Sequence, residues 1–314
     1  MKISQSFFDG FRKISGAKRY VFLAFGLNVV LALILAGSMK STLQHSMGHS
    51  LAGEKMLQSF DDLWYQNFSA KAEGLAKTFH PAVTGIGAVF DGLNKLVTGS
   101  PLDYATSVLG LGFFYLLMWT FLSGGFVAVY AAKGERPAFL QSAARFFPRF
   151  LILGLMAGVL YVLLFKFVFA WLSDAVEALT RETIDERVHF AYTVVKYLIL
   201  WFLLISVNLL FDYSKIFTVL TDHRNAFTAP LRAVKVVFGN FGKSYGLYLT
   251  IGLLWLCLML IYWVVAPGAG QSHWVTIFLA FLLGQIYILS RVWIRCLFYA
   301  GQISLCAGLL SDKG

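Results

Sequence analysis

Residues 145–172 read RFFPRFLILGLMAGVLYVLLFKFVFAWL, a short basic segment that runs directly into a long apolar one. From Phe150 to Leu172 the only charged residue is Lys166. A helix of about 20 mostly apolar residues crosses the roughly 30 Å hydrocarbon layer of a bilayer. Other segments have the same character, and the sequence therefore predicts six membrane spans: 21–39, 107–131, 150–172, 190–211, 245–265 and 274–290.

The first and last apolar segments each need an interpretation of their own. The last continues to about Leu310 but contains Arg291 and Arg295. We expect its span to end near Ser290, followed by a helical extension at the cytoplasmic interface. The first follows basic residues, as a signal peptide does, but its apolar run exceeds the about 7–15 residues typical of one. We expect an uncleaved anchor.

The composition excludes a soluble globular domain. Hydrophobic residues make up 58% of the chain, charged residues 13%, and the mean hydropathy is +0.70. A chain of 314 residues cannot hide that much apolar surface from water. Backbone groups inside lipid must pair within their own segment, which favours helices. The predicted fold class is all-α: a polytopic helical membrane protein with about six transmembrane helices and amphipathic interfacial helices.

Charge alternates between the connections. The N-terminal segment, the second-to-third and fourth-to-fifth connections and the C-terminal part hold most of the 26 lysine and arginine residues. The other side holds most of the 16 acidic residues. Because the side rich in lysine and arginine faces the cytoplasm, we expect both termini there, in a bacterial inner membrane. The net charge of +10 predicts attraction to anionic lipid head groups rather than to nucleic acid.

The spans divide the chain into three predicted regions. Residues 1–39 form a cytoplasmic N-terminus and the first transmembrane helix, and residues 40–105 an extracytoplasmic helical or interfacial region. Residues 106–314 form a five-helix membrane bundle with two cytoplasmic amphipathic elbows. Within the middle region, 51–79 has a helical amphipathic pattern, and 82–97 fits an interfacial or re-entrant helix. A cap over the bundle and a ligand-binding vestibule remain open as its role.

The two basic connections, which we name the first elbow (136–149) and the second elbow (224–243), share a pattern. Each begins Arg-x-Ala-Phe, at 136–139 and at 224–227. This indicates a parallel repeat, although chance similarity between two basic linkers explains it equally well. Basic residues of amphipathic segments lie at the level of lipid head groups. The candidate head-group contacts are Arg136, Arg145, Arg149, Arg224, Arg232, Lys235 and Lys243.

In the second elbow, apolar residues recur at helical spacing. The stripe comprises Ala226, Pro230, Val234, Val237 and Phe241. The basic side chains of this elbow lie off that stripe. The pattern is typical of a helix in the head-group plane whose cations extend toward water.

Charges near the inner ends of two spans predict an ion pair. Asp212 ends the fourth span, and Arg291 and Arg295 lie on one face of the last helix at a matching depth. We expect Asp212 to pair with Arg291 or Arg295 and to hold the two helices together. An acid that couples to proton movement is the alternative interpretation.

No pattern in the chain indicates catalysis, a cofactor or a metal centre. His45 and His49 have the i, i+4 spacing of zinc ligands, but the intervening residues lack the glutamate of the metalloprotease pattern. A third ligand would have to come from His80 or an acid. A phosphate-binding Gly-Lys-Ser/Thr loop, a nucleophile elbow and a Cys-x-x-Cys pair are all absent from the sequence.

Short motifs between about Leu109 and Leu310 carry a resemblance. They are the sequence FLSGG at 121–125 before the first elbow, Asp212-Tyr213 before the second, and Gln285, Tyr287, Arg291 and Arg295 in the last helix. In these features the chain resembles uncharacterised bacterial multi-span inner-membrane proteins, loosely similar to the membrane domain attached to some glycerophosphodiester phosphodiesterases. The resemblance implies a helical bundle in the inner membrane and no particular activity.

Three functions remain open from the sequence. The first is a non-enzymatic role in envelope organisation, assembly or lipid interaction, with membrane lipids as partners and a homo-oligomer or another membrane protein as further ones. The second is a channel, transporter or lipid translocator, which would need Lys166, Asn208, Asp212 and Gln285 to line one hydrated path. A membrane enzyme acting on lipids is the third.

Overall fold

In a computed structural model, the described part of the chain is helical and contains no strand. The structure describes residues 2–48, 51–56, 61–74, 76, 79, 87–100, 106–183, 185–222, 225–266 and 273–311. The helices are α1 Ile3–Ser15, α2 Lys18–Met47, α3 Ala52–Met56, α4 Asp62–Lys71, α5 Gly87–Val97, α6 Thr106–Ala131, α7 Phe139–Leu163, α8 Ala170–Thr180, α9 Glu186–Leu220, α10 Thr228–Gly239, α11 Phe241–Val265 and α12 Trp274–Ser311. A π-helical turn, Leu164–Phe169, joins α7 to α8.

Six of these helical segments are long and apolar enough to cross a membrane. Five of them are α2, α6, α9, α11 and α12, and the sixth is the continuous helix formed by α7, the π-helical turn and α8. The chain is therefore a multi-pass, all-α membrane protein, and the predicted fold class is confirmed. The division of the chain into three regions, 1–39, 40–105 and 106–314, stays a prediction.

The two elbows differ in shape. The first continues into its span as one helix, because α7 begins at Phe139 and runs on through Pro148. The second forms a separate helix, α10, which ends at Gly239. Asn240 then adopts a non-helical conformation before α11 begins. Glycine and asparagine are poor helix formers, which explains the break at this point.

The residues of α12 after Ser290 continue as a helix, as expected, and they pack inside the bundle. Their position at the cytoplasmic interface stays a prediction. Helix α12 packs against α1, α2, α6, α9 and α11. Its fully buried side chains include Cys296, Leu297, Ala300 and Cys306. Arg295 is accommodated because its guanidinium lies over the ring of Trp119, 4.0 Å from the ring centroid.

The amphipathic helix α1 covers this half of α12. Its inward face carries the buried residues Ser6, Gly10 and Ile14. A Cβ atom added at Gly10 would lie 2.8 Å from the backbone nitrogen of Gly301, so the two backbones touch. The next residue, Phe11, packs edge to face on Trp293 with ring centroids 5.0 Å apart. The N-terminal segment is therefore part of the packed core.

Burial is concentrated at one end of the bundle, which we name the basic end. It holds α1, both elbows and the C-terminal half of α12. Toward the opposite end the spans expose large apolar side chains, as lipid-facing helices do. Examples from the different spans are Leu33, Phe114, Val159, Trp201, Val264 and Phe278.

At the opposite end, the segment after α5 docks on the bundle. The Tyr197 hydroxyl on α9 donates a hydrogen bond of 2.9 Å to the carbonyl of Val97. Gly99 has a positive φ of 76° and lies against the ring of Phe169, where a Cβ atom would overlap the ring. On α4, Phe68 packs with Leu43 at the end of α2. The first part of the predicted interfacial segment 82–97, residues 82–86, lies outside the described residues.

Replacing Gly10 by alanine should destabilise the protein. The added methyl group meets the Gly301 backbone, which cannot rotate away as a side chain would. Overpacking of this kind costs about 1–3 kcal/mol, which a lowered melting temperature in detergent would report.

Gly26→Ala on α2 is the matched control, because nothing lies within 4 Å of a Cβ atom there. Alanine stabilises an exposed helical position by about 0.5–1 kcal/mol relative to glycine. Equal destabilisation by the two substitutions would contradict a close contact between α1 and α12.

Candidate functional site

Asp222 joins the first elbow to the C-terminal end of α9, just before the second elbow in sequence. It follows the C-terminus of α9, and its two carboxylate oxygens accept hydrogen bonds from different arginines of the first elbow. Arg145 Nη2 lies 2.5 Å from Oδ2, and Arg149 Nη1 lies 3.0 Å from Oδ1. The hydrogen bond from Arg149 is the main cause of a pKa of Asp222 below its usual value; partial desolvation opposes it, and the charge of Arg145 assists.

The backbone at Asp222 is in the left-handed region, with φ of 44°. Aspartate tolerates this conformation better than most residues with a side chain. It ends α9 in the manner of a left-handed C-terminal cap, and the turn aims the carboxylate at the first elbow. The sequence does not predict this role, because it shows only that Asp222 is an acidic residue in a connection rich in lysine and arginine.

The cations of the first elbow thus have protein partners. Arg145 and Arg149 pair with Asp222, and Arg136 donates a hydrogen bond to the carbonyl of Gly16 in the turn between α1 and α2. The side chain of Arg145 remains mostly exposed, while that of Arg149 is largely covered. Contact of these three arginines with lipid head groups stays a prediction.

Helix α10 has two apolar faces, whereas the sequence indicated one. The inner face buries Ala229, Pro230, Ala233 and Val237, and α10 packs on α9. Val234 was assigned to that stripe, but it is exposed. A second stripe at helical spacing is exposed: Phe227, Leu231, Val234 and Phe238.

Basic residues border the exposed stripe of α10. Arg232 and Lys235 are exposed and immediately follow Leu231 and Val234 in sequence. Lys243, at the start of α11, is exposed and lines an open depression of about 630 Å³ with Lys2, Ile3, Ser4 and Gln5 of the N-terminal segment. Arg224 lies outside the described residues.

The expected ion pair between Asp212 and Arg291 or Arg295 is not the contact that forms. Helix α9 continues past Asp212 to Leu220, so this carboxylate lies within the helix. Asp212 Oδ1 lies 3.9 Å from Lys215 Nζ, and Oδ2 accepts a hydrogen bond of 3.4 Å from Gln302 on α12. Within the described ranges, neither arginine comes within 4.0 Å of this carboxylate. Gln302 connects α9 to α12 instead.

The other candidate residues are dispersed or outside the described ranges. Lys166 lies over the ring of Phe167, with Nζ 5.8 Å from the centroid. Lys196, a lysine within the predicted fourth span, has its Nζ 4.3 Å from the centroid of the Phe169 ring. In the part of the chain that the structure describes, no three His, Cys, Asp or Glu side chains group as metal ligands. His49 and His80 fall outside it.

No protein-family model, curated protein or solved structure matches this chain. The resemblance to bacterial inner-membrane proteins therefore remains an expectation.

Asp222→Asn should lower the melting temperature at pH 7, because it removes the charge that both arginines face while it retains tolerance for a left-handed backbone. The pKa of Asp222 is depressed, so its stabilisation is present above the usual value near 4 and is lost as the pH falls through the lowered pKa. The difference from the unmodified protein should shrink below about pH 4, as thermal unfolding across pH would show.

Two variants serve as controls for Asp222→Asn. Asp222→Gly should destabilise less than Asp222→Asn, since glycine relieves the left-handed backbone while the ion pair is equally lost. Asp9→Asn removes another carboxylate at the basic end, whose pair with Arg12 is exposed and spans 3.9 Å. An effect of Asp9→Asn as large as that of Asp222→Asn would show that the ion pairs between Asp222 and the first elbow contribute no special stability.

Proposed function

We propose that the chain is a non-enzymatic, multi-pass protein of the bacterial inner membrane that binds anionic lipids at its cytoplasmic face. Its role lies in envelope organisation, assembly or lipid interaction. The proposal rests on the exposed stripe of α10 beside Arg232 and Lys235. The concentration of basic residues at the end that carries the N-terminus supports an orientation with both termini in the cytoplasm.

The two faces of α10 explain how it could engage a lipid surface. Its inner face fixes it on α9, so the helix is held in place before any lipid binds. The exposed stripe can then enter the boundary between head groups and acyl chains, where amphipathic helices lie. Each adjacent cation adds about 1 kcal/mol of attraction to an anionic surface. A helix fixed in this way loses little conformational entropy on binding.

The double substitution Arg232→Gln with Lys235→Gln should reduce the retention of phosphatidylglycerol by the purified protein. Loss of two cations near the surface weakens attraction by about 2 kcal/mol, or roughly thirtyfold in affinity. Native mass spectrometry of protein taken from vesicles that contain phosphatidylcholine and phosphatidylglycerol would measure the retained lipid.

The control is Arg181→Gln with Arg187→Gln, which removes the same charge from exposed positions at the opposite end. It should leave phosphatidylglycerol retention unchanged. If the two double variants lose equal amounts of retained phosphatidylglycerol, the protein attracts this lipid through its net charge alone. That result would exclude a lipid-binding surface on α10.

A channel, transporter or lipid translocator is the second candidate. The observation that favours it is the group of polar side chains within the bundle, where Asp212, Lys215 and Gln302 meet. Asn208 lies one turn from Asp212 on α9, as a polar path would need. A lipid-scrambling or solute-flux assay on the reconstituted protein separates this function from a purely binding one.

A further inference from the structure

Two cations share one carboxylate in the interior of the bundle. Lys215 Nζ lies 3.9 Å from Asp212 Oδ1, and each of these two side chains is only 19% exposed. Arg295 on α12 is close enough to interact electrostatically with Asp212, but its guanidinium lies over Trp119. Of the described residues, none offers Arg295 a carboxylate within 4.0 Å. The three charged groups therefore sum to one net positive charge.

This charge lies well inside the bundle. Along α9, Asp212 is about 15 Å from Asp222, which marks the basic end, at about 1.5 Å per residue. Both α9 and α12 are among the helices that are long and apolar enough to cross a membrane. A net charge in a medium of low dielectric is unfavourable unless a counter-charge is close. An anion beside Arg295 and Lys215 would supply it.

A buried donor near these charges also lacks a partner. Trp119 is 2% exposed, and its indole N–H has no acceptor among the described residues. Buried polar groups in folded proteins are almost always paired. The indole N–H lies in the ring on which Arg295 stacks, so one acceptor could serve both.

The cluster extends toward the lipid-facing surface. Asn208, one turn from Asp212 on α9, is exposed and accepts a hydrogen bond of 2.8 Å from the Tyr161 hydroxyl on α7. Tyr115, which interacts with Arg295, is 38% exposed on α6. Polar groups thus continue from the buried charges to the outside of the bundle.

We propose that Arg295, Lys215 and Trp119 bind one anionic oxygen group, a phosphate or carboxylate, within the bundle. Guanidinium and ammonium groups both favour such oxygens, and the indole N–H adds a neutral donor. The group can belong to a lipid that enters from the side or to a free anion. This site is separate from the surface of α10, and it does not depend on the proposed function.

The test uses the full-length protein in nanodiscs, in a background with Arg232→Gln and Lys235→Gln so that α10 contributes little. One arm titrates inorganic phosphate into phosphatidylcholine discs at constant ionic strength. The other replaces part of the phosphatidylcholine by phosphatidylglycerol. Both arms read the midpoint of thermal unfolding, which a ligand of the folded state raises.

Three substitutions define the expected result. Arg295→Gln should weaken the apparent affinity by about tenfold or more, as loss of a charge-assisted hydrogen bond does. Asp212→Asn should strengthen it, because removal of the carboxylate that faces Lys215 leaves the site more positive. Arg291→Gln removes an exposed cation from the same helix and should change nothing.

Each outcome decides the proposal. A shift with phosphate alone supports a free anion, a shift with phosphatidylglycerol alone supports a lipid head group, and a shift with both supports a site for the shared oxygen group. No shift in either arm overturns it, as does an Arg291→Gln effect equal to that of Arg295→Gln. If Arg295→Gln fails to fold, Asp212→Asn decides, since weaker binding in that variant contradicts the proposed charge balance.

Discussion

The contact between the backbones of Gly10 and Gly301 is the constraint on which the basic end depends. Because neither residue has a side chain, α1 can lie directly on α12. That position brings Phe11 onto Trp293 and Ile3 against Gly246 at the start of α11. It also places the turn after α1 where Arg136 of the first elbow reaches the carbonyl of Gly16. A single close approach therefore fixes the N-terminal helix against α11, α12 and the first elbow.

The six spans could be predicted because uninterrupted apolar runs are visible in the sequence. The centre of the bundle could not, since lipid-facing and protein-facing positions of a membrane helix are both apolar. Arg291 and Arg295 suggested that α12 leaves the membrane there. In the fold, the guanidinium of Arg295 lies over Trp119, and most of the α12 residues that follow it are buried. That arrangement depends on α6, which is distant in sequence.

The candidate sites show the same division. Counting charge identified Arg232 and Lys235, which are exposed beside an apolar surface. The spacing of apolar residues within α10 could not reveal which of its two stripes is buried, because the buried stripe is the one that packs on α9. It also missed Asp222, whose pairing with Arg145 and Arg149 needs a left-handed turn and a neighbouring elbow. Helix periodicity describes one element, whereas ion pairs join elements remote in sequence.

Cross-linking of α1 to α12 in native membranes measures the central contact most directly. Phe11→Cys with Trp293→Cys, in a variant whose exposed Cys257 is replaced by alanine, should react with a short bifunctional thiol reagent, since Cys296 and Cys306 are buried. Arg12→Cys with Trp293→Cys is the control, because Arg12 is exposed and lines a depression with Ser304 and Ala307 of α12, about three turns from Trp293. An efficient intramolecular cross-link only in the Phe11 pair is predicted. Equal cross-linking of both pairs, or of neither, would contradict the docking of α1 on α12.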